Sequence, residues 1–448
     1  MDNLNSIKYI TKELRKDSNT LKNRLQSIIY DYHFTRNIWD LYNLPLIPNE
    51  RCGLWYLPEE EYNTTSYFKS TDGHTNEWKF SFRRLNLHLL PIIEENFGVI
   101  IVDSTRKGKI MPDALTKTIP IWCAVLNYIK FEGEVIDSDM EVLLEDHWVK
   151  VPSIIPESEK FEIIKKIPGF VDEVKRLNLF TKESLGFSKP LIPYWVYPGK
   201  TTIPEHTNHR QIICLTTSSS KLSTVTLRDD DEIVSWPYIQ GAADDHELWV
   251  TPDICDGKLD AKMFWKFLPS VIDNTFISIS NEQLISQLNN LYETNKTTQI
   301  SKIELIPIKN TGIYFGMIES DMKFNLDVDI DNLVLLSTKT ISDIPKPISL
   351  HHYKIESNKK GSKQLREIIP KLIPLLNTKT AILCDTGKDL SVAIVLILLC
   401  QNFTIEMQPI ENQKPNKDLI KQFLNEINHI KPVNPSRNTL QSVNSYLM

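Results

Sequence analysis

Residues Ile100–Asn127 read IIVDSTRKGKIMPDALTKTIPIWCAVLN. The apolar run Val99–Val102 closes on Asp103, and no apolar side chain follows from Ser104 through Lys109. After Met111-Pro112-Asp113 a second apolar pattern begins at Ala114 and continues through Val125-Leu126. A strand, a hydroxyl-rich basic loop and a helix is the simplest reading of that order. α/β folds place their ligands at the carboxyl ends of such strands. Arg106, Lys107 and Lys109 offer cationic donors, Ser104 and Thr105 offer hydroxyls, and Gly108 lets a backbone come close. That set suits a phosphorylated ligand.

With 448 residues the chain is long enough for two or three domains, and 41% hydrophobic residues fill ordinary cores. A net charge of −6 does not advertise a nucleic-acid binder. A polyanion site must then be a local patch on an acidic background. Six cysteines are scattered without CxxC spacing, which argues against zinc. The polar start at Met1 and the lack of a long apolar run give no signal peptide and no membrane span, so a reducing cytoplasm is expected.

Upstream, Ile7–Ile29 is helical in pattern, with Lys8, Lys12, Arg15, Lys16, Lys22, Asn23 and Arg24 on its outer faces, either solvated or against RNA phosphates. Tyr67–His74 is a polar loop offering Lys69, Ser70, Asp72 and His74. Trp78, Phe80 and Phe82 alternate as strand residues do. Arg83 and Arg84 reach phosphate or pair with Glu94 or Glu95. Lys117 lies one turn into the helix after the central loop, exposed or against RNA.

Downstream, Pro190–Pro198 holds too many prolines for a regular element, and its aromatic residues pack or stack on bases. Gln211–Thr216 is an apolar strand followed by the hydroxyl-rich Thr217–Lys221. In Tyr238–Trp249, Asp244, Asp245 and Glu247 surround His246, an arrangement for metal, for base chemistry or for a helix start. Asn281–Ile306 is polar and reads as a link.

From about Asp329 the pattern changes. Thr380–Leu383 is a buried strand, Val392–Leu399 an apolar helix, and Cys384, Asp385, Thr386, Gly387, Lys388, Asp389, Leu390 and Ser391 lie between. This unit resembles the cysteine-phosphatase loop, Cys-x5-Arg-Ser/Thr. Cys384 and Ser391 match, but Leu390 stands where the arginine would be and Leu383 where the usual histidine would be. Without the arginine that stabilises a transferring phosphoryl group, hydrolysis is not expected. Backbone amides and a helix N-terminus still suit phosphate.

Together, Phe68–Leu90, Ile100–Asn127, Tyr238–Trp249 and Asn434–Met448 (NPSRNTLQSVNSYLM) resemble the fungal and plant initiator-tRNA 2′-O-ribosyl phosphate transferases, from near Ser6 to the C-terminus. The resemblance implies an α/β (α+β) fold with an N-terminal catalytic region, 1–328, and a dual-specificity-phosphatase-like domain, 329–448. It implies transfer of a 5-phosphoribosyl group from phosphoribosyl pyrophosphate to the 2′-hydroxyl of a T-stem adenosine of cytoplasmic initiator methionine tRNA. Magnesium beside the pyrophosphate and a monomeric protein are expected. Ser104, Thr105, Arg106, Lys107 and Lys109 would hold phosphate groups, with Lys69, Ser70, Asp72 and His74 completing the site. Asp72 or Asp103 would be the base, Asp244 and Asp245 the metal carboxylates, and Cys384–Ser391 a further phosphate loop. Arg83, Arg84 and Lys117 would meet tRNA. Outside that family, an inactive phosphatase-like recognition module or an active Cys384 phosphatase stays open.

Overall fold

The computed structural model describes residues 18–50, 52–70, 77–106, 108–133, 148–204, 208–229, 232–244, 249–272, 276–298, 303, 305–325, 328–376, 379–411 and 413–448. The chain forms two compact units. The first comprises Met1–Phe80, Leu89–Val171 and Lys182–Asn295, and the second Ser81–His88, Asp172–Thr181 and Lys296–Met448.

In the first unit, helix α1 (Leu21–Tyr42) starts where Thr20 accepts a hydrogen bond from the Asn23 N–H and ends at Asn43 in the left-handed region, φ 49°. Leu21, Leu25, Ile28 and Ile38 bury one stripe. Then come β1 (Leu46–Pro48), α2 (Leu89–Asn96), β2 (Gly98–Asp103), α3 (Ile119–Lys130), α4 (Glu157–Ile164) and α5 (Ile167–Leu177), whose residues from Asp172 onward belong to the second unit. Next are β3 (Leu191–Val196), β4 (Arg210–Thr216), the hairpin of β5 (Thr224–Asp229) and β6 (Glu232–Pro237), α6 (Ala261–Phe267) and α7 (Asn281–Thr298). A four-stranded parallel sheet, in the order β1-β2-β4-β3, is the frame. Every residue of β2 is buried, so this strand is a continuous apolar run rather than an alternating one. Its last residue, Asp103, lies in register with Thr216, the last of β4. The two hydroxyl-rich loops therefore leave the sheet side by side.

Four expectations fail here. Leu191–Val196 is a strand in spite of Pro193, because it lies at the sheet edge, where a missing N–H breaks no ladder. Tyr194 and Trp195 are packed, at 7% and 5% exposure. Trp78 and Phe80 are buried but belong to no strand among the described residues, so burial without a pairing partner gave their alternation. The polar stretch after Asn281 is helix α7, whose Leu284, Leu288 and Tyr292 reach the core at helical spacing. Arg24 is buried on the inner face of α1, with its guanidinium donating to the Ala242 carbonyl at 3.0 Å.

The second unit continues with β7 (Leu305–Pro307), β8 (Ile313–Met317), β9 (Met322–Lys323), β10 (Asn332–Leu336), β11 (Ile341–Ser342), β12 (Ser349–Tyr353), α8 (Lys359–Leu372), β13 (Thr380–Cys384), α9 (Leu390–Asn402), α10 (Lys417–Ile430) and α11 (Arg437–Leu447). The five-stranded sheet runs β12-β10-β13-β8-β7, parallel except at β7. β13 is central, and α9, apolar on all sides, is buried against it as the reading of Val392–Leu399 requires. β7 and β8 lie upstream of Asp329, so this sheet draws on residues that the sequence division assigned to the N-terminal region.

Candidate functional site

The carboxyl end of β2 is fixed by one carboxylate. Asp103 is 1% exposed, and it accepts hydrogen bonds from Asn49 Nδ2 at 2.7 Å and from the Ser104 N–H at 2.9 Å. Asn49 also clamps the Phe68 backbone, donating to its carbonyl (3.0 Å) and accepting from its N–H (2.7 Å). The loop that begins with Lys69 and Ser70 is thereby tied to Asp103. From β4, the Ser218 hydroxyl accepts from the Thr105 N–H (3.2 Å) and donates to the Thr105 carbonyl (3.0 Å), and Thr217 N–H donates to the Asp103 carbonyl at 3.0 Å.

The Gly241 turn closes on the same loop. Gly241 has φ +64°, and a Cβ there would lie 2.6 Å from the Thr105 carbonyl oxygen and 2.8 Å from Arg106 Cα. Only glycine permits both the backbone angle and the approach. Gln240 Nε2 donates to the Lys109 carbonyl at 2.7 Å. Asp244, 8% exposed, lies in this turn, where its N–H donates to the Gly241 carbonyl.

Beneath the loops lies a group that the sequence reading missed. Asp31 on α1 is 1% exposed and accepts a 2.7 Å hydrogen bond from the Tyr238 hydroxyl, which in turn accepts from the Ser219 N–H at 2.8 Å. Burial drives the Asp31 pKa well above the ordinary carboxyl value, against the opposing Tyr238 bond. Burial, with Asp31 adding to it, likewise raises the Tyr56 phenol, beside which the Ser104 hydroxyl lies. Among the described residues, Asp31 Oδ2, Tyr56 Oη, Ser104 Oγ, Thr216 Oγ1 and Thr217 Oγ1 are buried without a well-formed hydrogen bond. Such groups are costly to leave unpaired. Ser104, Thr216 and Thr217 of this set lie at the carboxyl ends of β2 and β4, which makes that end of the sheet the candidate site. The signal for Asp31 was its place on the buried stripe of α1, three residues after Ile28.

The cations separate into two kinds. Arg106 and Lys69 are exposed, and among the described residues neither side chain has a partner. Lys109 and Lys117 are paired along the wall of a cavity of about 910 Å3, which Trp78, Met111 and Glu159 also line. Lys109 meets Asp113 at 3.4 Å, and Lys117 meets Glu159 at 2.8 Å. Trp78 Nε1 donates to the same Glu159 at 2.9 Å. Arg83 and Arg84 fall in the second unit, and Glu94 is held instead by Arg210 at 2.7 Å. Asp72, His74, Lys107 and Asp245, with His246 and the helical reading before Ser18, lie outside the described residues.

In the second unit the Cys384–Ser391 loop joins β13 to α9. Cys384 is fully buried, and its Sγ donates to Ser391 Oγ at 3.2 Å. Leu390 is buried in the core. Both loop carboxylates are engaged. Asp385 accepts from the Ser337 hydroxyl and the Ser357 N–H, and Asp389 accepts from the Ser436 N–H at 2.9 Å. Gly387 takes φ +62° against the backbone of Gly316 and Met317. Thr386 is exposed and Lys388 partly so.

The first unit of this α/β chain places buried polar groups and an exposed arginine, without a partner among the described residues, at its parallel-sheet ends, and the second unit carries a phosphatase-type loop with Leu390 at the arginine position. The family model described as the Rit1 N-terminal domain matches residues 14–293, and that of the Rit1 DUSP-like domain matches residues 349–447. The tRNA A64-2′-O-ribosylphosphate transferase of Saccharomyces cerevisiae is 35% identical across 99% of this chain and 95% of its own length. An uncharacterized Schizosaccharomyces pombe protein is 33% identical across 95% of this chain and 94% of its own. The chain belongs to the Rit1 family, and its C-terminal domain is dual-specificity-phosphatase-like.

Proposed function

We propose that the protein is a pentosyltransferase that moves the 5-phosphoribosyl group of phosphoribosyl pyrophosphate onto the 2′-hydroxyl of a T-stem adenosine of initiator methionine tRNA. The observation that carries this reading is the end-to-end similarity to the Saccharomyces cerevisiae transferase. The bulky anionic mark would obstruct elongation and reserve that tRNA for initiation. The cytoplasm and a monomeric state are part of the same reading.

The reaction is a substitution at the anomeric carbon. The bond from C1 to the pyrophosphate oxygen breaks, and pyrophosphate leaves with the electron pair. The tRNA 2′-oxygen forms the new bond to C1 and gives its proton to a base. Arg106 and Lys69, exposed and unpaired among the described residues, are suited to hold the donor's phosphates and the charge that develops as pyrophosphate departs. Asp103, fixed by Asn49 and Ser104, offers a carboxylate in one orientation as the base. The buried hydroxyls of Ser104, Thr216 and Thr217 can position the sugar.

No group of three or more His, Cys, Asp and Glu side chains arranged for a metal occurs among the described residues. Asp244, in the turn that closes on the Thr105–Arg106 backbone, is the described carboxylate that would hold magnesium, which takes one or two carboxylates and completes its shell with phosphate and water. Bound there, magnesium would neutralise the leaving diphosphate.

The test is transfer of label from phosphoribosyl pyrophosphate to purified initiator tRNA beside elongator methionine tRNA. Label on the initiator alone is expected. No label on either, with magnesium present, would refute the reading.

A further inference from the structure

Helix α8 is sharply two-sided. Leu365, Ile369 and Leu372 are fully buried. The opposite face carries Lys359, Lys360, Lys363, Arg366 and Lys371, all exposed, with Glu367 as the helix's one acid. Lys359, Lys363 and Arg366, at i, i+4 and i+7, share one stripe, and Lys360 and Lys371 share the stripe beside it. The row spans about 18 Å at the α-helical rise. Arg437, also exposed, opens α11 beside this helix: Ser436 Oγ lies 3.3 Å from Ser362 Oγ, and the Thr439 hydroxyl donates to Ser362 Oγ at 3.0 Å. Among the described residues, none of these six cations has an ion-pair or side-chain hydrogen-bond partner.

We propose that this face of α8, extended by Arg437, is the surface on which the second unit docks the phosphate backbone of the RNA acceptor. The proposal rests on the transfer reading for the identity of that RNA. The whole chain carries a net charge of −6, so five cations against one acid on a single helix is a local reversal of sign. Among the described residues it contributes no ion pair to the fold. An A-form stem hides its major groove and presents phosphates and 2′-hydroxyls, so a rigid row of cations suits it better than base-reading side chains do. The exposed face holds no large apolar residue, which a helix lying in a membrane surface requires. The start of α8 also abuts the Cys384 loop, since the Ser357 N–H donates to Asp385 at 3.2 Å. Docked phosphates are thereby led toward the loop and the Pro435-Ser436-Arg437 segment.

The experiment measures binding of an initiator tRNA transcript to the full-length protein by fluorescence anisotropy over a series of salt concentrations. The variant is Lys359→Gln/Lys363→Gln/Arg366→Gln. Glutamine keeps helix propensity, and removing the three charges breaks no described contact. Its log-affinity against log-salt slope should fall by about 2–3, with ~10–100-fold weaker binding at ~0.1 M salt. Lys258→Gln/Lys262→Gln/Lys266→Gln in the first unit should leave both unchanged. An unchanged slope in the α8 variant would overturn the proposal, as would an equal loss in the control. So would salt-dependent binding to phosphatidylserine vesicles without binding to tRNA. The two readings fail separately. A wild-type protein that binds tRNA through these cations but transfers no label leaves the surface standing and removes the transfer. Normal transfer with α8-independent binding removes only the surface.

Discussion

Two side chains at the parallel-sheet ends act by opposite physics. Arg106 is exposed and, among the described residues, has no partner, so its charge is free for a ligand. Arg106→Ala should lower kcat/KM for transfer by about 10²–10³, the scale for losing a preorganised donor to developing charge. Its melting temperature should stay unchanged, because a surface truncation without contacts costs within about 0.5 kcal/mol. Normal transfer by that protein would remove the arginine from the site. Asp31 is the reverse case, a carboxyl whose pKa is driven up by burial while Tyr238 donates to it. Unfolded, it ionises near 3.8; folded, it stays protonated to higher pH. The unfolded state therefore sheds its proton first, and the fold loses stability from this group as pH rises above about 4. Asp31→Asn keeps the acceptor for Tyr238 and avoids that cost. Its melting temperature minus that of the wild type should be near zero at acid pH and grow toward neutrality. A difference that stays flat across that range would mean the carboxyl is ionised in the fold. Neither residue announced its role equally. Arg106 stood in a loop without apolar neighbours and could be read directly, whereas Asp31 looked like any charge on a helix until its position on the buried stripe was known.

At the scale of elements, strands with a continuous apolar run were readable because burial on both faces leaves no alternation to misjudge; β2, β4 and β13 are of this kind. Elements whose residues argue against their state were not. Pro193 argued against β3, and the Asn and Thr content of α7 argued against a helix, yet edge position and tertiary burial overrode each. The loop between β13 and α9 is a different matter, since its sequence departure has a structural consequence. Leu390 is part of the core, and the Cys384 thiol is buried and donates to Ser391, so no cation faces the sulfur from position 390. Cys384→Ser should therefore transfer label at the wild-type rate, and neither protein should hydrolyse p-nitrophenyl phosphate above background. Turnover that disappears with Cys384 would restore a phosphatase step to this loop.

The whole molecule is divided in space differently from the way it is divided in sequence. Composition changes near Asp329, and a boundary there follows from reading the chain as a line. The second unit, however, takes in Ser81–His88 and Asp172–Thr181 from far upstream. Those segments bring buried apolar side chains, Leu85 at 2% and Leu177 at 0% exposure. They also supply acceptors to α10: Gln422 Nε2 donates to the Leu177 carbonyl at 2.8 Å, Asn425 Nδ2 to the Leu179 carbonyl at 2.8 Å, and Asn428 Nδ2 to the Arg83 carbonyl at 3.3 Å. Periodicity shows which face of such a segment is buried, as Val174 and Leu177 are, but not which unit buries it, and so the line of sequence concealed their assignment. A fragment of residues 296–448 would leave Asn425, 6% exposed in the intact chain, without its acceptor, and the apolar surface under Leu85 and Leu177 open. An unpaired buried amide costs about 1–3 kcal/mol, and each large apolar side chain withdrawn from contact costs a similar amount. Arg176 with Asp418 is exposed and adds little. The fragment should melt at least ~5–10 °C below the same unit in the full chain. It should also bind a hydrophobic dye that the full chain does not, and adding peptides of residues 81–88 and 172–181 should reduce both effects. A fragment that melts with the intact unit would mean that the upstream segments lie on it without supporting it, and the division near Asp329 would then be the physical one.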